Sequence, residues 1–209
     1  LGLTTGLTAY FGILEVGRVA AGETVVVSAA AGAVGSLAGQ IARLRGATNV
    51  IGIAGGPEKS RFLTDELGFT AAIDYKNENV AERLDALAPN GIDVFFDNVG
   101  GSILDDVLMR IKEGSRVVIC GAISQYENME SVHGPRNYLK LAERHATMEG
   151  YAVFHFADRY AEAESQLAAW ARSGELHMHE HREKGVENFP KVLEMLMNGG
   201  HRGKLLLEV

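Results

Sequence analysis

The first 120 residues alternate between short apolar runs and segments that carry one apolar face. The stretches 24–29 and 92–97 read TVVVSA and IDVFFD, and both have the length and composition of a buried strand. Between such runs, apolar residues recur every three or four positions, as at Leu37, Ile41 and Leu44, which predicts helices. The predicted strands are 24–29, 49–54, 71–75, 92–97 and 115–120, and the predicted helices are 6–16, 34–45, 58–67, 79–88 and 102–112.

This pattern predicts the α/β class, with a doubly wound parallel sheet (a Rossmann fold), because strands buried on both faces need helices on both sides. After residue 120 the alternation becomes less regular. The sequence predicts a polar loop at 121–134, a helix at 135–143, a sixth strand at 147–156 and a helix at 157–173. The last part predicts a polar strand at 176–182, a helix at 186–198 and a strand at 204–209.

Composition excludes several classes of function. The formal net charge of −7 argues against a nucleic-acid partner, because no basic patch is present to neutralise phosphates. No apolar run reaches membrane-spanning length, so no membrane partner is predicted. Cys120 is the single cysteine, which rules out a disulfide within the chain and favours a reducing, cytoplasmic location. The chain opens at Leu1 rather than at a methionine, and we expect it to be part of a longer protein.

The glycine turn after the first predicted strand has the spacing of a nucleotide-binding turn. Ala30, Gly32 and Gly35 form an A-x-G-x-x-G variant of the dinucleotide fingerprint. The missing Cβ at Gly32 lets backbone N–H groups approach a pyrophosphate, and Gly35 lets the helix pack close to the strand. The positive end of that helix then faces the phosphates. A plain structural turn is the alternative, but the β-α-β setting favours a nucleotide site.

The end of the second predicted strand bears on the choice between NAD and NADP. An NAD site usually has an Asp or Glu there to bind the ribose hydroxyls, whereas this strand ends in Ala54, Gly55 and Gly56. Lys59 follows, and a charge-assisted hydrogen bond from its ammonium to a 2′-phosphate would contribute about 1.5–3 kcal/mol. The sequence therefore favours NADP. Glu58 weakens that preference slightly, and a solvated lysine at a helix start is the alternative.

Polar residues also follow the fourth and fifth predicted strands. Asn98 precedes two glycines, so it either hydrogen-bonds a ribose or an amide close to the backbone, or belongs to an ordinary Asn–Gly loop. The loop 120–126 ends the fifth strand, where a nicotinamide would lie. Tyr126 in that loop is the candidate catalytic residue, because its hydroxyl can orient the ring or a carbonyl; simply covering the site is the alternative.

Three histidines, His177, His179 and His181, alternate along the polar strand predicted at 176–182. Alternation would place them on one face of the strand, where imidazole nitrogens can hold zinc. No cysteine or clear carboxylate completes such a set, and an exposed polar edge strand explains the pattern equally well. No metal site is therefore predicted.

Several motifs together resemble one family. LTAYFGILE, AAAGAVGSLAGQIARLRG, EKSRFLTDELGF, FFDNVGG and CGAISQY are similar to segments of the medium-chain dehydrogenase/reductase superfamily. Within it, the chain resembles the zinc-free, NADP-dependent alkenal (leukotriene and prostaglandin) reductase branch. The resemblance implies a Rossmann domain at 1–178 and a C-terminal segment at 179–209. That segment would return to a GroES-like catalytic domain that is absent from this chain.

The resemblance also implies roles for individual residues. Gly32, Ala33, Val34 and Gly35 would contact the pyrophosphate, and Lys59 and Tyr75 the adenosine 2′-phosphate end. The positions that would flank the ribose and the nicotinamide are Asn98, Cys120, Gly121, Ala122, Ile123, Ser124, Tyr126, Tyr151, Ala152 and Val153. The family's closing turn, Gly-x-Asn-x-Gly-Lys, reads GGHRGK here, so His201 stands where an Asn would contact the cofactor. Histidine can still donate one hydrogen bond, but the substitution puts that role in doubt.

The activity implied by the resemblance is an NADPH-dependent reduction of carbon–carbon double bonds in α,β-unsaturated aldehydes or ketones. Hydride would pass from NADP(H) to the β-carbon of a small enone or enal, and the resulting enolate would take a proton from water or a nearby hydroxyl. Quinone reduction within the same superfamily is one alternative, and a nucleotide-binding module without catalysis is another. A homodimer is expected from the open edges of the sheet.

Overall fold

The structure, a computed structural model, describes residues 4–209 except for the side chains of residues 127–129. Its centre is a parallel sheet in the order β3-β2-β1-β4-β5-β6. This order reverses between β1 and β4, as in Rossmann domains that bind a dinucleotide at the carboxyl ends of their strands. The strands are β1 (Thr24–Ser28), β2 (Asn49–Ala54), β3 (Ala71–Asp74), β4 (Ile92–Asp97), β5 (Ile111–Ile119) and β6 (Thr147–Gly150).

Helices cover both faces of the sheet. The helix α1 (Thr5–Phe11) continues as a π-helix (Gly12–Val16), and α3 (Pro57–Arg61) continues as a second π-helix (Phe62–Glu66). The other helices are α2 (Gly35–Leu44), α4 (Val80–Leu87), α5 (Gly101–Leu108), α6 (Leu139–Glu143), α7 (Tyr160–Ser173) and α8 (Phe189–Met197). Three stretches form 3₁₀ helices: Ile123–Ser131, Val153–Arg159 and Val186–Asn188. The predicted doubly wound parallel sheet is confirmed.

The strands are buried on both faces because their apolar residues alternate between two clusters. Val25, Val27 and Phe96 belong to one cluster, which includes residues of α1, α2 and α7. Val26 and Phe95 belong to the other, which includes residues of α4 and α5. Successive side chains of a strand point to opposite faces, so an unbroken apolar run fills both clusters at once.

The sixth strand is shorter than the sequence predicts. It ends at Gly150, and the stretch up to residue 156, predicted as strand, instead leaves the sheet and enters a 3₁₀ helix. Two reciprocal hydrogen bonds bend the chain here: the His155 N–H donates to the Ala152 carbonyl at 3.0 Å, and the Ala152 N–H donates to His155 Nδ1 at 3.3 Å. Tyr151 turns its hydroxyl to the Thr8 carbonyl at 2.6 Å. These contacts replace further strand pairing.

The strand predicted at 176–182 is displaced along the chain. The strand β7 (Glu180–Lys184) pairs in parallel with β8 (Lys204–Glu208) in a separate sheet. The residues before β7 are held against α2 instead. The side-chain amide of Gln40 accepts a hydrogen bond from the His177 N–H at 2.7 Å and donates one to the His177 carbonyl at 3.0 Å. Leu176 is buried in the core. The predicted face of three histidines is therefore wrong, since only His181 lies within the strand.

The last 30 residues return to the carboxyl edge of the main sheet. The Gly203 N–H donates to the Ala31 carbonyl at 2.8 Å, and a parallel bridge joins Gly203 to Gly32. The turn at 199–203 therefore lies directly against the glycine turn that follows β1. Within residues 4–209, no helix has both the length and the apolar character required to cross a membrane.

Candidate functional site

The glycine turn after β1 is closed by its own hydrogen bonds. Ala29 adopts a left-handed conformation with φ of 46°, and the Gly32 N–H donates back to the Ala29 carbonyl at 3.0 Å. A Cβ on Gly35 would lie 2.5 Å from the Ala29 oxygen and 2.8 Å from the Ala30 Cα, so α2 can begin this close to the turn only with glycine there. Gly35 thus has the packing role that its position predicts.

The same turn leaves a group of donors at the positive end of α2. The backbone N–H groups of Ala33, Val34 and Gly35 have no backbone acceptor among residues 4–209. These are the unpaired donors of a helix N-terminus, where partial positive charge favours an anion. The sequence assigned this role to Gly32 as well, but the Gly32 N–H is already used within the turn. The available donors are therefore the expected ones without Gly32.

A cation and an aromatic ring stand beside this turn at the ends of β2 and β3. Lys59 is half-buried and donates from Nζ to the Gly199 carbonyl at 2.6 Å. Burial, and then the neighbouring charge of Lys76, lower the pKa of Lys59 below its usual range. Tyr75 lies against Gly55, where a Cβ would come within 3.0 Å of the ring, and its side chain is half exposed. An anion placed here would relieve the unfavourable environment of the Lys59 charge.

Asp74 shapes the loop next to Lys59, and sequence reasoning did not single it out. Its carboxylate accepts hydrogen bonds from the Gly56 N–H at 2.7 Å, the Lys76 N–H at 3.1 Å and the Asn77 side-chain amide at 2.7 Å. Burial would raise its pKa, but the hydrogen bonds from Asn77, Gly56 and Lys76 lower it overall. The sequence offered one indication of this role: Asp74 is an acidic residue at the end of β3. It fixes the loop rather than offering an oxygen to a ribose.

The end of β4 carries a network that joins it to β1. The Asp97 carboxylate is fully buried and accepts from Ser28 Oγ at 2.7 Å and from the N–H groups of Val99 and Gly100 at 2.9 and 3.0 Å. Asn98 donates from Nδ2 to the Ser28 carbonyl at 2.7 Å, and its N–H donates to Ser28 Oγ at 2.8 Å. Asn98 therefore stands at the carboxyl edge with its amide nitrogen already engaged.

The loop that follows β5 folds back onto the end of β4. Cys120 and Gly121 donate their N–H groups to the Asp97 carbonyl at 2.8 and 3.1 Å, and the Ile123 N–H donates to the Asn98 carbonyl at 3.1 Å. The Ser124 hydroxyl donates to the Val99 carbonyl at 2.6 Å. The structure thus brings the predicted residues of this loop to the same edge as Asn98.

Tyr126, the candidate catalytic residue, lies on the exposed side of that loop. Its hydroxyl oxygen accepts a hydrogen bond from the Ala122 N–H at 3.1 Å, and 51% of the residue is exposed. An oxygen that accepts from a backbone N–H keeps its own proton for another partner. The hydroxyl therefore has the chemistry of a donor held at a fixed place on the loop.

Cys120 and Tyr151 lie beneath the loop rather than on its surface. Burial raises the pKa of the Cys120 thiol to about 11, against the lowering effect of a hydrogen bond with Tyr151. Burial and the neighbouring thiol also raise the pKa of Tyr151. The Tyr151 hydroxyl takes the space left by Gly12, where a Cβ would overlap it. The side chains of both residues are partly buried and pack against the core cluster that includes α1 and α2.

His201 occupies the turn that covers the glycine loop, and only 9% of it is exposed. Burial, followed by the charge of Lys59, lowers the pKa of His201, while a hydrogen bond to the Met195 carbonyl opposes the shift. Its Nδ1 is buried and has no hydrogen-bond partner within residues 4–209. A buried ring nitrogen without a partner is uncommon in folded proteins, and this one lies near the charge of Lys59.

The remaining histidines do not assemble a metal site. The His179 ring packs edge-on against Phe62 with centroids 4.9 Å apart, and His181 Nε2 bonds Glu183 at 3.0 Å. Across the part of the chain that the structure describes, no group of three His, Cys, Asp or Glu side chains is placed to hold a metal ion. The side chains in that part of the chain do not fit zinc.

Fold and site together define a Rossmann-type dinucleotide-binding domain, with donors for an anion at the first turn and a lysine beside it. The family model described as zinc-binding dehydrogenase matches residues 33–169. The chain therefore belongs to that family, in the alkenal and prostaglandin reductase branch of the medium-chain dehydrogenase/reductases, as the motifs predicted.

Three similar proteins illustrate the relationship. An NADP-dependent oxidoreductase of Bacillus subtilis is 47% identical over 208 residues, covering 98% of this chain and 61% of the relative. Prostaglandin reductase 1 of Mus musculus is 40% identical over 206 residues, covering 97% and 62%. The crystal structure of CurA from Vibrio vulnificus in complex with NADPH superposes with a TM-score of 0.92 at 40% identity, covering 98% and 62%. The chain thus spans about three fifths of the length of these proteins.

Proposed function

We propose that this chain is the nucleotide-binding part of an NADPH-dependent reductase that acts on the carbon–carbon double bond of α,β-unsaturated aldehydes or ketones. The observation that carries the proposal is the set of unpaired N–H groups of Ala33, Val34 and Gly35 at the start of α2. A pyrophosphate is the anion expected at such a turn in this fold. The NADP dependence named for the Bacillus relative, and the NADPH bound to the Vibrio protein, support the choice of nucleotide.

The adenosine end of the nucleotide would lie at Lys59 and Tyr75. Lys59 is a half-buried cation whose charge is destabilised by its surroundings, so a 2′-phosphate would restore a favourable environment. Tyr75 offers an exposed ring surface over Gly55 for the base or the ribose. His201 Nδ1 is the buried group that a hydroxyl of the nucleotide would satisfy, which gives histidine an acceptor role in place of the family's Asn.

The nicotinamide half would lie against Asn98 and the loop 120–126, with the backbone of Tyr151, Ala152 and Val153 beside it. When bound, the nucleotide would supply a hydride to the β-carbon of the substrate. The role of this chain is to hold that half in place and to exclude water from it. Tyr126 would donate its hydroxyl proton toward the substrate oxygen as negative charge develops there.

Several further expectations belong to this proposal. We expect the boundary at residues 178 and 179 to separate the Rossmann domain from a segment that packs on a further domain outside this chain. Exposed apolar residues on that segment support this: Val186, Phe189, Leu193, Leu196 and Met197. A homodimer and a cytoplasmic location remain proposals, supported by the unpaired outer edge of β6 and by the single reduced cysteine.

The test compares three substrates. The protein assayed contains this chain and the additional residues that bring it to the full length of its relatives. NADPH oxidation is followed with an enone and with a quinone, and NADP⁺ reduction is followed with an alcohol. We expect the enone to be turned over with the highest kcat/KM. A preference for the quinone would favour the alternative activity, and turnover of none of them would favour a binding module without catalysis.

A Tyr126→Phe variant adds a second readout to the same assay. Loss of the hydroxyl should lower kcat for the enone by about a hundred- to a thousandfold, because one donor to the developing oxyanion is removed. KM for NADPH should stay near its original value, since the phenyl ring is kept. An unchanged kcat would remove Tyr126 from the catalytic role.

A further inference from the structure

Asp97 is the most completely enclosed carboxylate among the described residues, and it has no cationic partner there. The residue is 0% exposed, and none of the ion pairs within residues 4–209 includes it. Its oxygens are held by three donors: Ser28 Oγ and the N–H groups of Val99 and Gly100. Burial raises its pKa against the opposing effect of those hydrogen bonds.

Stability alone does not account for such a group. A buried carboxylate without a cation is unfavourable, and an apolar or neutral side chain at the end of a buried strand would cost less. The three donors all belong to the ends of β1 and β4, at the edge where the nucleotide is expected. The carboxylate therefore serves to fix the geometry of this edge.

The part of this edge that Asp97 holds in place includes Asn98. The Ser28 hydroxyl donates to Asp97 at 2.7 Å and accepts from the Asn98 N–H at 2.8 Å, so it bridges the carboxylate and the asparagine backbone. The Ser28 carbonyl accepts from the Asn98 side chain at 2.7 Å. A carbonyl can only accept, so the amide nitrogen must be the atom that faces it. The side-chain oxygen of Asn98 is consequently the atom turned away from Ser28.

We propose that Ser28 and Asp97 are positioning residues, which hold Asn98 so that its side-chain oxygen accepts a hydrogen bond from the nicotinamide half of the bound nucleotide. This inference rests on the proposed function. The ribose hydroxyls and the carboxamide NH₂ of that half are donors of the required kind. The carbonyls of Asn98 and Val99 also accept from the loop 120–126, so the same network sets the position of that loop.

The two halves of the nucleotide give a direct test. The adenosine half would lie at Lys59, on the opposite side of the glycine turn, and does not depend on this network. Calorimetry on the 209-residue chain should therefore compare NADPH with adenosine 2′,5′-bisphosphate, which carries only the adenosine half. Ser28→Ala removes the bridging hydroxyl, and Asp97→Asn replaces an acceptor with an amide that can also donate.

The matched control is Asp93→Asn, the same substitution on the same strand at its opposite end. Asp93 binds the Thr24 N–H and Lys112, far from the carboxyl edge. We expect Ser28→Ala and Asp97→Asn to weaken NADPH binding about three- to tenfold, the loss of one hydrogen bond, with adenosine 2′,5′-bisphosphate unchanged within about twofold. The control should leave the affinities for both ligands unchanged.

Equal losses for both ligands would mean that the network only supports the fold, and unchanged NADPH binding would exclude the positioning role. Both outcomes overturn the inference while leaving the proposed function intact. Failure of the unsubstituted chain to bind either ligand would instead refute the proposed function. If Asp97→Asn does not fold, Ser28→Ala alone decides, because it leaves the Val99 and Gly100 donors on the carboxylate.

Discussion

Replacing Lys59 with alanine tests the assignment of the adenosine end of the site. Lys59 is the half-buried cation beside the glycine turn, and its Nζ donates to the Gly199 carbonyl at 2.6 Å. Burial and the charge of Lys76 lower its pKa, so an additional anion would be bound strongly here. Lys59→Ala removes the cation and also frees the Gly199 carbonyl.

Two effects of different kind follow. Loss of a charge-assisted hydrogen bond to a 2′-phosphate costs about 1.5–3 kcal/mol, which is roughly a ten- to 150-fold loss of NADPH affinity. Loss of the bond from Lys59 to the Gly199 carbonyl lowers the stability of the chain and affects every nucleotide alike. The ratio of NADPH to NADH affinity therefore isolates the first effect.

Calorimetric titration of the wild-type chain and of Lys59→Ala with both nucleotides measures this ratio. Lys112→Ala is the matched control, because Lys112 is another partly buried lysine, bound to Asp93 at 2.8 Å at the amino end of the sheet. We expect the ratio to fall by about tenfold or more in Lys59→Ala and to stay constant in the control. Equal losses for NADPH and NADH would refute the role of Lys59.

Three further predictions follow from the same structure. Gly35→Ala should destabilise the chain by about 1–3 kcal/mol in urea unfolding, because the added Cβ would lie 2.5 Å from the Ala29 oxygen. Gly134→Ala is the control, because a Cβ at Gly134 would meet no atom within 4 Å. Equal unfolding midpoints for the two variants would contradict this. Burial raises the pKa of the Cys120 thiol to about 11, so alkylation of Cys120 in the folded chain should be about a hundredfold slower than in the unfolded chain. The free energy of unfolding should also fall as the pH rises from about 9 to 11, because only the unfolded thiol ionises in that range. Equal alkylation rates in the two states would disprove this. The 209-residue chain should bind NADPH weakly and reduce an enone very slowly, and robust turnover would contradict a substrate site that needs a further domain.

Much of the fold was predictable because burial on both faces leaves a direct trace in the sequence. The run Val25–Val27 and the stretch 92–97 have few polar residues to place in water, so they can only be internal strands. Gly35 and Lys59 were predictable for a similar reason, since a turn that admits no Cβ and a strand end without an acid are local features. The close contacts of Gly35 agree with its expected packing role, and the role of Lys59 stays a prediction.

The parts that were not predictable depend on contacts between distant residues. The early end of β6 reflects the hydrogen bond from Tyr151 to Thr8, 143 positions away, and the displaced β7 reflects the bonds between Gln40 and His177. The network of Ser28 and Asp97 spans 69 positions. The sequence shows only that Asp97 is an acidic residue at the end of an apolar strand. It does not indicate which distant residues Asp97 contacts.

We propose that this chain forms an NADPH site at the carboxyl edge of its parallel sheet. Calorimetric titration of the unsubstituted 209-residue chain with NADPH and with NADH is the decisive measurement of that site. One binding site is predicted, with NADPH bound about tenfold or more tighter than NADH because of the charge of Lys59. Equal affinities would contradict the NADP preference, and no binding of either nucleotide would contradict the site itself.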